Sequence, residues 1–245
     1  MLVVSASSDK LATTMRTSTV QIVLFGVIAG DYAIYGTMTG MTSIPTCILS
    51  MLFIGTLATS LGQRKAMLIG SWGGIIMNAA LAALWFFGDP TSMNNGAGGL
   101  KWGYFAIGYI VLTIICNGFQ GISGNIVIPM TADCADYEVY RTGKYVPGMM
   151  GTLFSLVDKL ISSFAPLLTG VAFAAIGFKD HLPDVGTKLA DCPSSIVPLS
   201  IFLMYGTVII GLICNIIALK FYPLTKEKMA EIQDEIAAIK AKAMQ

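Results

Sequence analysis

Histidine occurs once in this 245-residue chain, as His181, and charged residues make up only 12% of it. A soluble domain carries about 25% charged residues, so most of these side chains do not face water. Net charge is +1, which gives a nucleic-acid partner no electrostatic support. The five cysteines (Cys47, Cys116, Cys134, Cys192 and Cys214) form no CxxC pair. They read as free buried thiols rather than a disulfide or zinc framework. The sequence also lacks a phosphate-binding glycine loop and a metal-ligand cluster. The opening Leu2-Val3-Val4 follows no basic stretch and breaks at Ser7-Ser8-Asp9, which argues against a cleavable signal peptide. The abrupt start reads as a cut through a longer protein.

What the chain has is apolar length. Hydrophobic residues reach 55% and mean hydropathy is +0.72. The 26 glycines suit a chain in which membrane helices pack closely. A spanning helix needs about 20 mostly apolar residues. Charge-free stretches predict spans near 38–62, 66–87, 103–131 and 196–221, and a fifth covers about 146–178 around Asp158 and Lys159. The first segment is read as a span over about 1–28 with Asp9, Lys10 and Arg16 inside it. The alternative is an amphipathic surface segment, which leaves five spans. The expected fold is therefore all-α: a polytopic membrane protein with six transmembrane helices in residues 1–223 and a cytoplasmic helix in 224–245.

Loop charge orients it. Arg64, Lys65, Arg141, Lys144, Lys220, Lys226, Lys228, Lys240 and Lys242 fall on the side of the termini, while Lys101, Lys179 and Lys188 fall on the other. The basic excess marks the cytoplasmic face of a plasma membrane, so both termini are expected there. After Pro223, Met229, Ile232, Ile236 and Ile239 form one apolar stripe at helical spacing, with Thr225 as N-cap. This short amphipathic helix is expected to pack on the inner ends of the spans. Pro45, Pro129 and Pro166 lie inside spans and predict kinks. Gly26/Gly30, Gly36/Gly40 and Gly70/Gly74 have small-xxx-small spacing.

Charges at bilayer depth are costly and by default mark a functional pathway. Asp158 and Lys159 are adjacent, about 100° apart on a helix, so they cannot share one partner. Asp9 and Lys10 pose the same problem, with Arg16 nearly two turns on. They either pair across helices to fix packing or line a polar cavity for a solute and a coupling ion. Asn117, Gln120 and Asn125 interrupt the 103–131 helix as candidate donors to solute hydroxyls or helix ties. Asp133 and Asp136, three apart, follow that span and call for cations such as Arg141 and Lys144, as in a gate at the cytoplasmic mouth; a solvated polar loop is the plainer reading. Ser123, in Gly121-Ile-Ser123-Gly124, would need a histidine at matching depth to act as a nucleophile, and His181 is in an outer loop.

Several motifs then line up. Asp133-x-x-Asp136-Tyr137, then Thr142-Gly143-Lys144, then a helix carrying Lys159, together with Gly62-Gln63-Arg64-Lys65 and Tyr222-Pro223-Leu224-Thr225-Lys226-Glu227, resemble the glycoside–pentoside–hexuronide:cation symporters, melibiose-carrier-like members of the major facilitator superfamily. The resemblance covers nearly the whole chain as the C-terminal six of twelve helices. It implies uptake of a sugar or glycoside with Na⁺ or H⁺ and no other cofactor, in a lipid bilayer, beside an N-terminal six-helix half that holds the cation-binding carboxylates. It implies a cation- and sugar-site role for Lys159 and a sugar-facing hydroxyl for Ser155. Gly124 stands where the melibiose carrier has a sugar-stacking tryptophan, and Asp158 is outside the family pattern. Ser155, Asn117, Gln120, Asp158, Asp9, Lys10 and Arg16 are the remaining candidates for the pathway. A non-transporting membrane scaffold or truncated gene product, and an intramembrane enzyme, are the other readings.

Overall fold

The computed structural model describes residues 2–17, 19–96, 99–143, 147–178, 182–184 and 187–243, without side-chain detail for Pro147, Met150 and 237–243. Lys144 and His181 lie outside the described residues. Among those described, regular structure is helical; an isolated antiparallel bridge joins Asn94 and Leu100. The long elements are α1 (Leu2–Arg16), α2 (Thr19–Ile28), α3 (Ala33–Leu61), α4 (Gln63–Phe87), α5 (Tyr104–Thr142), α6 (Pro147–Ala175), α7 (Ile196–Lys220) and α8 (Lys226–Ala243). α3 to α7 are five helices long and apolar enough to cross a membrane, and α1 with α2, bent by 44° at the break between them, makes a sixth if the pair is counted as one span.

The first span is thus two helices, not one. The Thr13, Thr14 and Thr17 hydroxyls donate to the carbonyls of Asp9, Lys10 and Thr14, a back-bonding pattern that bends helices. Arg16 closes α1 and favours its negative end. Beyond the break, Ile22–Ile28 winds as a wide π-helix, and Phe202–Gly206 in α7 does the same. Such turns recur at functional sites.

α5 corrects a second boundary. It does not stop near 131 but runs to Thr142, where Gly143 (φ 71°) ends it with its N–H donating to Val139 O. Charge marks where a helix leaves the apolar layer, not where it stops. Asp133 and Asp136 therefore sit inside a helix, and Arg141 occupies its last turn. The helices also run on through Pro45, Pro129 and Pro166.

Hydrogen bonds and close approach set the packing. Ser5 Oγ donates to Asn215 Oδ1, and Asn215 Nδ2 donates to Ser71 Oγ at 3.1 Å, all buried, linking α1, α7 and α4. Ser8 Oγ donates to Gly211 O at 3.2 Å. A Cβ on Gly211 would come within 2.9 Å of Ser8 O, so only glycine allows this crossing. Gly70 and Gly74 meet Ile122 of α5 and Leu212 of α7, whereas Gly36 and Gly40 meet nothing within 4 Å. Phe25, Trp85, Phe105 and Tyr109 form an edge-to-face aromatic cluster with centroids 5.3–6.0 Å apart. The apolar window of α3 buries 0% of its residues and that of α6 17%, against 50% in α7. α3 and α6 are therefore less covered by the bundle than α7.

α8 lies across one end, as its stripe predicts. Lys228 N donates to Thr225 Oγ1, the N-cap. Ile232 and Ile236 are buried with Leu2, Met67, Ile126 and Met130, and Ile239 is outside the described side chains. Leu2 meeting this helix puts both ends of the described chain at one face, here the basal face.

Candidate functional site

The broken span supplies the charges. Lys10 projects from α1 toward α6, where its Nζ lies 3.4 Å from Asp158 Oδ1; the two side chains are 45% and 33% exposed. This is a cross-helix pairing, one of the two arrangements that the adjacent charges allowed. It unites one residue from each dyad and leaves Asp9 and Lys159 turned elsewhere. Lys159 is exposed with no carboxylate within ion-pair distance among the described residues. Asp9 is half-buried on α1.

Six residues further along α1, Arg16 Nη1 donates to Gln120 Oε1 of α5 at 3.3 Å. That bond fixes the amide: Oε1 faces the guanidinium, and Nε2 is left as a buried donor without a partner. Ser123 Oγ shares this condition. Thr113, Gln120 and Ser123 are spaced 7 and 3 apart, which puts them on one face of α5. Buried polar atoms in hydrocarbon are expensive, so this stripe is a costly feature of α5. Asn117 is half-buried on the same helix, and Asn125 is exposed, with its Nδ2 turned back to Gly121 O at 2.8 Å. Gly124 is exposed, and a Cβ there would meet nothing within 4 Å.

Between α5 and α6 lies a cavity of about 360 Å³. Asp158, Ser155 and Thr131 give it polar edges, and Val127, Ile128 and Phe154 give it apolar walls. This mixture suits a small ligand with hydroxyls on an apolar frame. Thr131 and Phe154 were not legible from sequence as lining residues. Their signal was positional: Phe154 precedes Asp158 by four residues on one helix face, but which α5 residues oppose it depends on how the helices pack.

The basal residues divide differently from the sequence expectation. Asp136 Oδ2 accepts from Gln233 Nε2 of α8 at 2.7 Å. Asp133 borders a separate cavity of about 240 Å³ with Arg64 and Lys226. Arg141 is exposed and pairs with neither carboxylate among the described residues. Ser123 is 1% exposed inside the helix packing, out of reach of a substrate bond.

A broken helix carrying cations, a carboxylate on its neighbour, a polar stripe and a cavity between α5 and α6 are thus gathered in one bundle. Across residues 2–226 the sequence matches the family described as MFS/sugar transport protein. The chain belongs to that family. No curated protein and no solved structure matches it. It is a multi-pass membrane protein of a sugar-transporting family.

Proposed function

We propose that this sugar transporter is a cation-coupled symporter of the melibiose-carrier-like type, moving a sugar or glycoside by alternating access in the plasma membrane. The observation that carries the reading is the Lys10–Asp158 pair beside the 360 Å³ cavity. A carboxylate held by a lysine at 3.4 Å can exchange that partner for a sugar hydroxyl or a cation, which gives solute and ion a common element. Ser155 and Thr131 donate to the solute, and Phe154 offers an apolar face. Arg16, Gln120 and Asn117 extend the path along α5, and Asp9 borders it from α1.

The basal face is the cytoplasmic one. It gathers Arg64, Lys65, Lys220 and Lys226 around the ends of α3, α4, α7 and α8, as the positive-inside bias requires. Asp133, Asp136 and Arg141 serve the inner mouth there. The exposed face of α6 receives a further six-helix bundle whose carboxylates meet Lys159 and complete the site for Na⁺ or H⁺.

The test is uptake of radiolabelled sugars by the full-length protein, with Na⁺ and pH varied separately. Uptake that rises with either ion gradient and is lost in Lys159→Ala, with insertion intact, is the expected result. Sugar uptake indifferent to both ions would reduce the protein to a facilitator, and undiminished ion-driven uptake by the variant would remove Lys159 from the mechanism.

A further inference from the structure

At the basal face a single residue, Gly62, separates α3 from α4, at φ 84°. Two cations bind helix ends around it. Lys226 Nζ donates to the α3 carbonyls of Thr59 (2.9 Å) and Ser60 (3.3 Å). Arg64 Nε and Nη2 donate to the α7 carbonyls of Leu219 (3.1 Å) and Lys220 (3.3 Å). Lys65, next in sequence, is exposed and outside both caps. These three border a cavity of about 210 Å³ with Leu61, Leu68 and Glu227.

The notch is short of negative charge. Its three cations meet one carboxylate of the notch itself, that of Glu227, and Arg64 and Lys226 share the adjoining 240 Å³ cavity with a second, Asp133, which leaves the cations in excess. The Glu227 carboxyl is held below its usual range by its own backbone N–H, with the Thr225 hydroxyl and then Lys65 and Lys226 adding to that. Arg64 and Lys65 also stand in the first turn of α4, where the helix dipole disfavours cations. Gly62, the N-cap, has no side chain with which to satisfy the first N–H groups of that helix. An anion in the notch relieves all of these.

The outer face of α4 says which kind of anion. Starting at Lys65, Ile69, Trp72 and Ile76 follow at helical spacing, and they are 39%, 56% and 59% exposed. A cationic notch at the membrane edge thus continues into an apolar track along a spanning helix. Free phosphate would use the notch alone; an amphiphile uses both.

We propose that the notch between the α3–α4 turn and the start of α8 binds an anionic phospholipid, with its phosphate between Lys65, Arg64 and Lys226 and an acyl chain along Ile69, Trp72 and Ile76. Basic pockets at helix ends on the inner side of a membrane hold such headgroups. The bound lipid ties the α3–α4 turn to α8, so it stabilises the strap across the basal face. This site lies apart from the cavity between α5 and α6.

The test is native mass spectrometry of the full-length protein released from bilayers of equal phosphatidylglycerol and phosphatidylcholine. Preferential retention of phosphatidylglycerol is expected. Lys65→Gln should lower that retention roughly five-fold, and Lys101→Gln, at the opposite end of the bundle, should leave it unchanged. Added millimolar inorganic phosphate should not displace the lipid. Equal retention of the two lipids, or an equal loss in Lys101→Gln, would overturn the site. Displacement by inorganic phosphate would assign the notch to a soluble anion and overturn the lipid.

Discussion

Lys10 of α1 and Asp158 of α6 form the ion pair at 3.4 Å that spans the polar side of the bundle. Each has an oppositely charged neighbour in sequence, Asp9 and Lys159, and each pairs instead with a residue from a distant helix. The pair is the hinge between the two readings that intramembrane charges allow: it fixes packing, and it borders the cavity.

The two roles separate by measurement. Both side chains are a third or more exposed, so the pair should contribute less than about 1 kcal/mol to stability in a double-mutant cycle. Lys10→Ala and Asp158→Asn should each lower sugar uptake at least about ten-fold, the rate equivalent of one catalysis-scale contact of 1.4 kcal/mol. Exchange of the two residues should recover part of it. Wild-type uptake in both single variants would leave the pair with a packing role alone.

Gly211 and Gly36 make a matched contrast. Alanine at 211 brings its Cβ within 2.9 Å of Ser8 O and 3.1 Å of Ala12 Cβ, so α1 and α7 must separate. The expected cost is about 1–3 kcal/mol, seen as a fall in thermal midpoint in detergent. Alanine at 36 meets nothing within 4 Å and should leave the midpoint unchanged or raise it through better helix propensity. Equal behaviour of the two would mean that the α1–α7 crossing differs from the one described.

Asn215 joins three helices through Ser5 and Ser71. Asn215→Leu should destabilise the bundle by about 1 kcal/mol, the scale of interhelical hydrogen bonds in membranes. Ser71→Ala should cost less, because the Ser71 hydroxyl also bonds within its own helix, to Met67 O at 2.8 Å. The reverse order in a denaturation series would argue against this network.

The start of α8 responds to pH with a defined sign. The folded-state pKa of Glu227 is lowered, chiefly by its own backbone N–H, so its contribution is present above the ordinary carboxyl range and lost as pH falls through the lowered value. Protection of the first turns of α8 against amide exchange, taken relative to the intrinsic exchange rate at each pH, should fall at acid pH in the wild type, and in Glu227→Gln it should be lower at neutral pH and vary less with pH. Its full solvent exposure keeps the effect small. A pH profile in Glu227→Gln matching the wild type would place the sensitivity elsewhere.

The spans were legible because hydropathy is local and additive: a run of about 20 apolar residues reads the same wherever its neighbours are. The amphipathic stripe of α8 was legible for the same reason, and Ile232 and Ile236 are buried where it put them. The break after Arg16 was hidden, since the apolar run continues across it and only threonine back-bonding marks it. The end of α5 was misplaced because charge reports solvent, while Asp133 and Asp136 stay helical in water. Of the candidate site, the residues could be named but not grouped. Lys10 and Asp158 met, as did Arg16 and Gln120; Lys159 and Asp9 joined neither group.

The sequence by itself determined that this protein is an all-helical membrane protein with ionic side chains inside its spans. Its family also lies in that one-dimensional record. Only the tertiary structure decided that Lys10 takes Asp158, that Gly211 is indispensable and Gly36 is not, and that Thr131 and Phe154 share a cavity with Ser155. Those outcomes depend on the rotation and crossing of each helix against its neighbours, which are set by contacts between residues far apart in the chain and leave no periodic trace within any one segment.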